Sequence, residues 1–228
     1  MILAGMLLLA IGAVDLVRQF VAQGRRWIGY TVVAVIVIVI GSAGDAPASM
    51  LVAAGGAAAW LLAMPDTADA RRSFWPAVVL AAASIASVVL LGDRSRDVGQ
   101  LHTPFGPLSA DLALLVLGVV IFQLESGNVV VRAALAGEHT WKPSPTSEGF
   151  RGGRLIGPLE RVLVFLLMLV PAYSLLAAVL AAKGIVRFPE ISKDGETGAR
   201  SEYFLVGSLV SWVLAVGGAL LVWWAANV

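Results

Sequence analysis

Seven apolar stretches, at about 2 to 17, 28 to 43, 49 to 64, 74 to 92, 107 to 126, 159 to 182 and 203 to 224, take up more than half of this 228-residue chain. About 20 residues of helix cross the roughly 30 Å of hydrocarbon in a bilayer. No water is present there to satisfy backbone groups, so runs of this length must be helical. The sequence predicts an all-α fold: a polytopic transmembrane helical bundle of seven spans. Hydrophobic residues make up 59% of the chain and charged residues 14%, against about 25% charged in soluble domains, which excludes a water-soluble core of this size. The second and third stretches are short and separated only by Gly44, Asp45, Ala46 and Pro47. They fit two spans or a hairpin that dips into the membrane.

The first stretch lacks the basic start and small-residue cleavage site of a secretory signal and is expected to remain as a span. Residues 1–106 read as a four-span apolar scaffold and 107–228 as a three-span region, the two forming one membrane-embedded unit. The polar run from Gly137 to Gly153 is a linker-like loop rather than a domain. The 16 basic and 15 acidic residues nearly cancel, so nothing attracts nucleic acid. With no cysteine and only His102 and His139, in loops expected on opposite sides, no metal site or cofactor is implied.

Orientation follows from where Lys and Arg fall, since cytoplasmic loops carry the excess. With the N-terminus outside and the C-terminus inside, ten of the 16 lie on the inner side, and Arg94, Arg96, Lys183, Arg187, Lys193 and Arg200 on the outer. Trp27, Trp60, Trp75, Trp223 and Trp224 would then sit at the inner interface.

A charge near the bilayer centre costs about 2.5–3.5 kcal/mol on insertion scales, so each one needs a partner, a wet cavity or the interface. The seven-span path sorts them into two layers. The inner layer holds Asp15 and Arg18 in span one, Glu125, Asn128 and Arg132 ending span five, and Glu160 and Arg161 opening span six. The outer layer holds Asp111, Lys183, Arg187, Glu190 and Glu202. Glu125, Asn128 and Arg132 follow i, i+3, i+7 spacing and would share one helix face. Glu160 and Arg161, being adjacent, must diverge by about 100°. As one continuous helix, the 23 residues from Glu160 to Lys183 would separate those two charges by about 35 Å. Pro171, midway, would kink that helix. Gly207, Ser208, Ser211, Gly217 and Gly218 in span seven, and Gly55 and Gly56 in span three, offer small surfaces for close helix packing.

Three ordered segments run Gly153-Arg154-Leu155-Ile156-Gly157-Pro158-Leu159-Glu160-Arg161, Ala181-Ala182-Lys183-Gly184-Ile185-Val186-Arg187-Phe188-Pro189-Glu190 and Glu202-Tyr203-Phe204-Leu205-Val206-Gly207-Ser208-Leu209-Val210-Ser211. Together with Gly127-Asn128-Val129-Val130-Val131-Arg132, this C-terminal part resembles an uncharacterised family of bacterial, actinobacterial-type multi-spanning membrane proteins. The resemblance implies a membrane-embedded helical domain in a bacterial plasma membrane and supplies no reaction. Its motif residues include Glu160, Arg161, Lys183, Arg187, Glu190 and Glu202, the charges already selected by depth.

The expected function is binding or transport of a small anionic solute or lipid headgroup through a polar cavity between helices. That cavity would be lined by Asp15, Arg18, Glu125, Asn128, Arg132, Glu160 and Arg161. Two alternatives stand beside it. One is an enzyme acting on a lipid-linked phosphate, with Lys183 and Arg187 holding the anion and Glu190 or Glu202 as base. The other is a structural subunit of a membrane complex or homo-oligomer. Membrane lipids are the partners common to all three.

Overall fold

A computed structural model of the chain describes residues 1–65, 74–91, 100–103, 106–137, 153–191 and 199–227. The helices are α1 (Ile2–Phe20), α2 (Arg26–Ala43), α3 (Pro47–Ala63), α4 (Trp75–Leu91), α5 (Ala110–Leu124), α6 (Ser126–Gly137), α7 (Gly153–Leu169), α8 (Tyr173–Ile191) and α9 (Ala199–Asn227). A 3₁₀ turn (Gln23–Arg25) precedes α2. A short antiparallel hairpin, β1 (Gln100–Thr103) with β2 (Gly106–Ser109), lies in the segment expected to be loop, pairing Gln100 with Ser109 and Thr103 with Gly106.

Among the described residues, three helical segments are long and apolar enough to cross a membrane: Ile2–Phe20, Gln23–Ala43 and Ser201–Asn227. The bent pair Ala110–Leu124 and Ser126–Ala136 passes as a fourth, with 49° between its halves. Pro47–Ala63, Trp75–Leu90 and Tyr173–Val186 are apolar but shorter. These helices fit a membrane protein, with three or four of span length among the described residues where the sequence led to seven. The outer surfaces suit lipid, with Leu62, Val79, Leu90, Val170, Ile185 and Val213 all largely exposed.

Close glycine contacts define the centre. A Cβ added to Gly5 would lie 2.9 Å from the Leu115 backbone nitrogen, and one on Gly12 would lie 2.7 Å from that of Phe122. One added to Gly118 would meet the Gly5 carbonyl oxygen at 2.5 Å. Parallel helices α1 and α5 therefore touch backbone to backbone, as small residues permit in bilayers, where dispersion rather than hydrophobicity holds helices together. Gly55, Gly56, Gly217 and Gly218 are among the small residues expected to pack helices closely. Of these, Gly56 meets Leu7 and Gly218 meets Val119, while Gly55 and Gly217 face open space.

Around this pair the chain alternates direction. Met6 lies against Gly41 and Val17 against Gly29, so α2 runs antiparallel to α1 along most of its length. Leu7 against Gly56 and Asp15 against Trp60 bring α3 back parallel to α1. The α2–α3 turn closes with Ala46 N–H donating to Gly41 O at 2.9 Å, a Schellman-type bond with Asp45 at φ 46°. Pro47 then starts α3, where its missing N–H costs nothing. Helix α4 carries the chain back, and Ser109 caps α5 by accepting from Leu112 N–H at 3.3 Å.

The sixth expected span is corrected. Residues 159 to 182 do not form one kinked helix: α7 ends at Leu169 and α8 begins at Tyr173. Ala172 N–H donates to Leu167 O at 3.0 Å across Pro171, the same six-to-one closure seen after α2. Proline cannot continue the helix and here ends it, so the chain reverses. Arg161 beside Ser211 and Phe165 beside Gly218 make α7 parallel to α9. Gly218 beside Val119 and Gly207 beside Leu135 make α9 antiparallel to α5 and α6. The helix directions put Met1 and Asn227 at the same end of the bundle, not at opposite ends as seven spans require. Trp223 and Trp224 consequently lie at the Met1 end, away from exposed Trp27 and Trp75 at the Arg26 end.

Candidate functional site

Asp15 lies five residues before the end of α1, on the face turned to α3 and α6, and is 1% exposed. Its Oδ2 accepts from Ser126 Oγ at 2.6 Å and Trp60 Nε1 at 2.8 Å, and its Oδ1 accepts from Arg18 at 3.2 Å. Three donors around one carboxylate compensate its removal from water. Trp60, expected at the interface, is 4% exposed and forms part of this cluster. Arg26 reaches back to the Arg18 carbonyl at 2.7 Å and caps the open end of α1.

Glu125 occupies the break between α5 and α6, with φ −117°. It still accepts from Asn128 Nδ2 at 3.2 Å and from Arg132 at 3.3 Å. The expected grouping of Glu125, Asn128 and Arg132 is thus present, but not as a stripe on one continuous helix. The 49° bend turns α6 away from α5 and lets Ser126 reach Asp15 and Asn128 reach α7.

Among the described residues Arg161 is the largest fully buried side chain, ahead of Phe165 and Met6. Its Nε donates to Gln123 O at 2.9 Å, one terminal nitrogen to Asn128 Oδ1 at 2.6 Å and the other to Ser211 Oγ at 3.3 Å. Gly127 admits it: a Cβ there would stand 2.6 Å from Arg161 Nε. Asn128 therefore bridges Glu125 and Arg161 with its amide, donating to one and accepting from the other.

Glu160 diverges from Arg161 as expected and faces α8 and α9. Both its oxygens accept from Lys183 Nζ at 2.7 Å, and Oε1 also accepts from Trp212 Nε1 at 2.9 Å. The ammonium stands 5.5 Å from the ring centroids of Phe204 and Trp212, within cation–π range. The expected 35 Å separation is overturned by the α7–α8 reversal, because Lys183 lies about as far beyond Pro171 as Glu160 lies before it. The division into inner and outer layers falls with it. Asp111, buried in the first turn of α5, stays at the Met1 end. Glu202 is exposed in the first turn of α9 at the opposite end. Arg187 and Glu190 belong to the last turns of α8 and His102 to β1, but their side chains are not described, and the loop from 138 to 152 with His139 lies outside the described residues.

One polar layer results, contributed by α1, α3, α5 to α9 and held by three ion pairs among the described residues: Arg18–Asp15, Arg132–Glu125 and Lys183–Glu160. The sequence placed Trp60 at the interface and pointed to none of Ser126, Trp212 and the Gln123 carbonyl, because none of these groups carries a charge that marks it at depth.

No family model, curated protein or solved structure matches the chain.

Proposed function

We propose that the chain is an integral membrane protein that binds, and passes across the bilayer, a small oxyanion or lipid phosphate headgroup at this polar layer. The observation that carries the reading is the charge state around Arg161. Arg18, Arg132 and Lys183 each meet a carboxylate, whereas the three hydrogen bonds of Arg161 end on neutral oxygens. Arg161 is thus buried, at 2% exposure, with no carboxylate among its hydrogen-bond partners. Taking a guanidinium out of water costs several kcal/mol, which Glu125 and Glu160 offset only through space and which an anion drawn into the layer offsets further. Lys183 at 22% and Arg132 at 44% side-chain exposure give that anion its approach.

The test is flux in proteoliposomes of purified protein, with inorganic phosphate, sulfate and a short-chain carboxylate as probes. Anion-dependent flux above empty vesicles is expected, falling at least about tenfold in Arg161→Gln, the loss that about 1.4 kcal/mol produces. Wild-type rates in Arg161→Gln for every anion carried would overturn the reading. The alternative of an enzyme acting on a lipid-linked phosphate used Lys183 as one arm of its anion clamp, and Lys183 donates to both oxygens of Glu160.

In a bacterial plasma membrane, the setting that the motif resemblance suggests, both termini face outside. Among the described residues, Arg18, Arg25, Arg26, Arg132, Arg161 and Lys183 all lie toward the Arg26 end of the bundle. By the positive-inside bias, this favours the Arg26 end as cytoplasmic.

A further inference from the structure

A cavity of about 280 Å³ lies between α4, α5 and α9, with Leu8 of α1 at its back. Its wall is apolar except at two places, Ser84 of α4 and Gln123 of α5. Both are deeply buried, at 3% and 1% exposure. Ser84 Oγ and both side-chain polar atoms of Gln123 have no hydrogen-bond partner. Buried amides and hydroxyls are almost always satisfied, and each orphaned group costs about as much as a lost hydrogen bond. Two such residues facing one cavity therefore indicate a missing partner rather than two separate packing faults.

The cavity is reached from the side. Ile85 of α4 and Val213 of α9 line it and are also 53% and 68% exposed on the bundle surface. Its entrance consequently faces the acyl chains between α4 and α9, not either aqueous end. Gly217 widens it, since a Cβ there would meet nothing within 4 Å, and Gly218 brings α9 to within 3.3 Å of the Gln123 amide nitrogen at the position of its absent Cβ.

We infer that this cavity binds an uncharged amphiphile from the membrane, an apolar chain bearing one hydroxyl or carbonyl group that hydrogen-bonds Gln123 and Ser84. The volume, about nine times the share of a water in the liquid, accommodates a short stretch of chain and a small head. An amide presents one donor function and one acceptor function, and the serine hydroxyl can do either, so a single ligand oxygen has complementary groups on two walls. No ionisable side chain lines the cavity, and a charged head would be buried there unpaired, at prohibitive cost. The site is thus chemically distinct from the anion-binding layer, although the Gln123 carbonyl serves Arg161 while its side chain serves the cavity.

The test uses the full chain in detergent with two photoreactive probes of equal length, a diazirine-bearing 1-decanol and the corresponding diazirine-bearing decane, and maps labelled peptides by mass spectrometry. The alcohol is expected to label α4 and α9 segments around Ser84 and Val213, with competition by unlabelled 1-decanol. Labelling should fall at least about tenfold in Gln123→Leu, the effect of losing a buried hydrogen bond to ligand. Gln123→Leu should also melt no lower than wild type, because it removes two orphaned polar atoms from the ligand-free protein. Gly217→Leu, a filled cavity with Gln123 retained, should lose labelling too and serves if Gln123→Leu does not fold. Equal labelling by alkane and alcohol, undiminished labelling of Gln123→Leu or Gly217→Leu, or no labelling of the cavity segments would each overturn the inference. None of these readouts depends on anion flux, so failure here leaves the Arg161 reading standing, and the reverse.

Discussion

Single residues decide how this bundle tolerates charge. Asp15, Glu125, Glu160 and Arg161 are recognisable in the sequence because each is ionisable at membrane depth, and each proves to be buried or nearly so. What the sequence did not disclose is their partners, because Trp60, Ser126, Trp212 and a backbone carbonyl carry no charge that marks them. The Asp15 carboxylate shows the consequence. Replacing it with Leu takes a carboxylate acceptor away from buried Arg18, Ser126 Oγ and Trp60 Nε1 at once. A loss of about 3–5 kcal/mol is expected, the range for breaking one side of a buried pair. Asp15→Asn keeps an acceptor oxygen and should lose distinctly less, as measured by thermal or denaturant unfolding in detergent.

At the scale of elements, two kinds of junction shape the fold. The α1–α5 seam depends on Gly5, Gly12 and Gly118, where a side chain would collide with backbone that cannot move aside. Gly12→Leu should therefore destabilise by at least the roughly 1–3 kcal/mol of an overpacked core. Gly55→Leu, where a Cβ meets nothing within 4 Å, should stay within about 0.5 kcal/mol of wild type in the same unfolding measurement. Glycine content alone does not separate these cases, since Gly55 and Gly56 form the more conspicuous pair in the sequence. The other junctions are breaks: Glu125 bends α5 into α6, and Pro171 ends α7. The helical nature of both regions was legible from their apolar runs. Whether a proline inside such a run kinks a helix or reverses the chain depends on what the downstream segment can pack against. Here Lys183 gains Glu160, Phe204 and Trp212 only by turning back.

For the whole molecule, that one reversal changes the path. Apolar periodicity identified an all-helical bundle but joined α7 and α8, and the error propagated to the side on which every later charge was placed. With the reversal, both termini lie at one end and the 138 to 152 connection joins helices at the other. Reporter fusions at the N- and C-termini should accordingly report the same side of the membrane, with a reporter inserted in that connection on the opposite side. The reversal itself can be measured directly, because the chain contains no cysteine and an introduced pair reports only on itself. In Glu160→Cys/Lys183→Cys, a short bismaleimide should link the two positions within one chain, where Lys183 Nζ and Glu160 now stand 2.7 Å apart. A single span through residues 159 to 182 would hold them about 35 Å apart, and failure of both cysteines to link while each still reacts with a monofunctional maleimide would contradict the fold described.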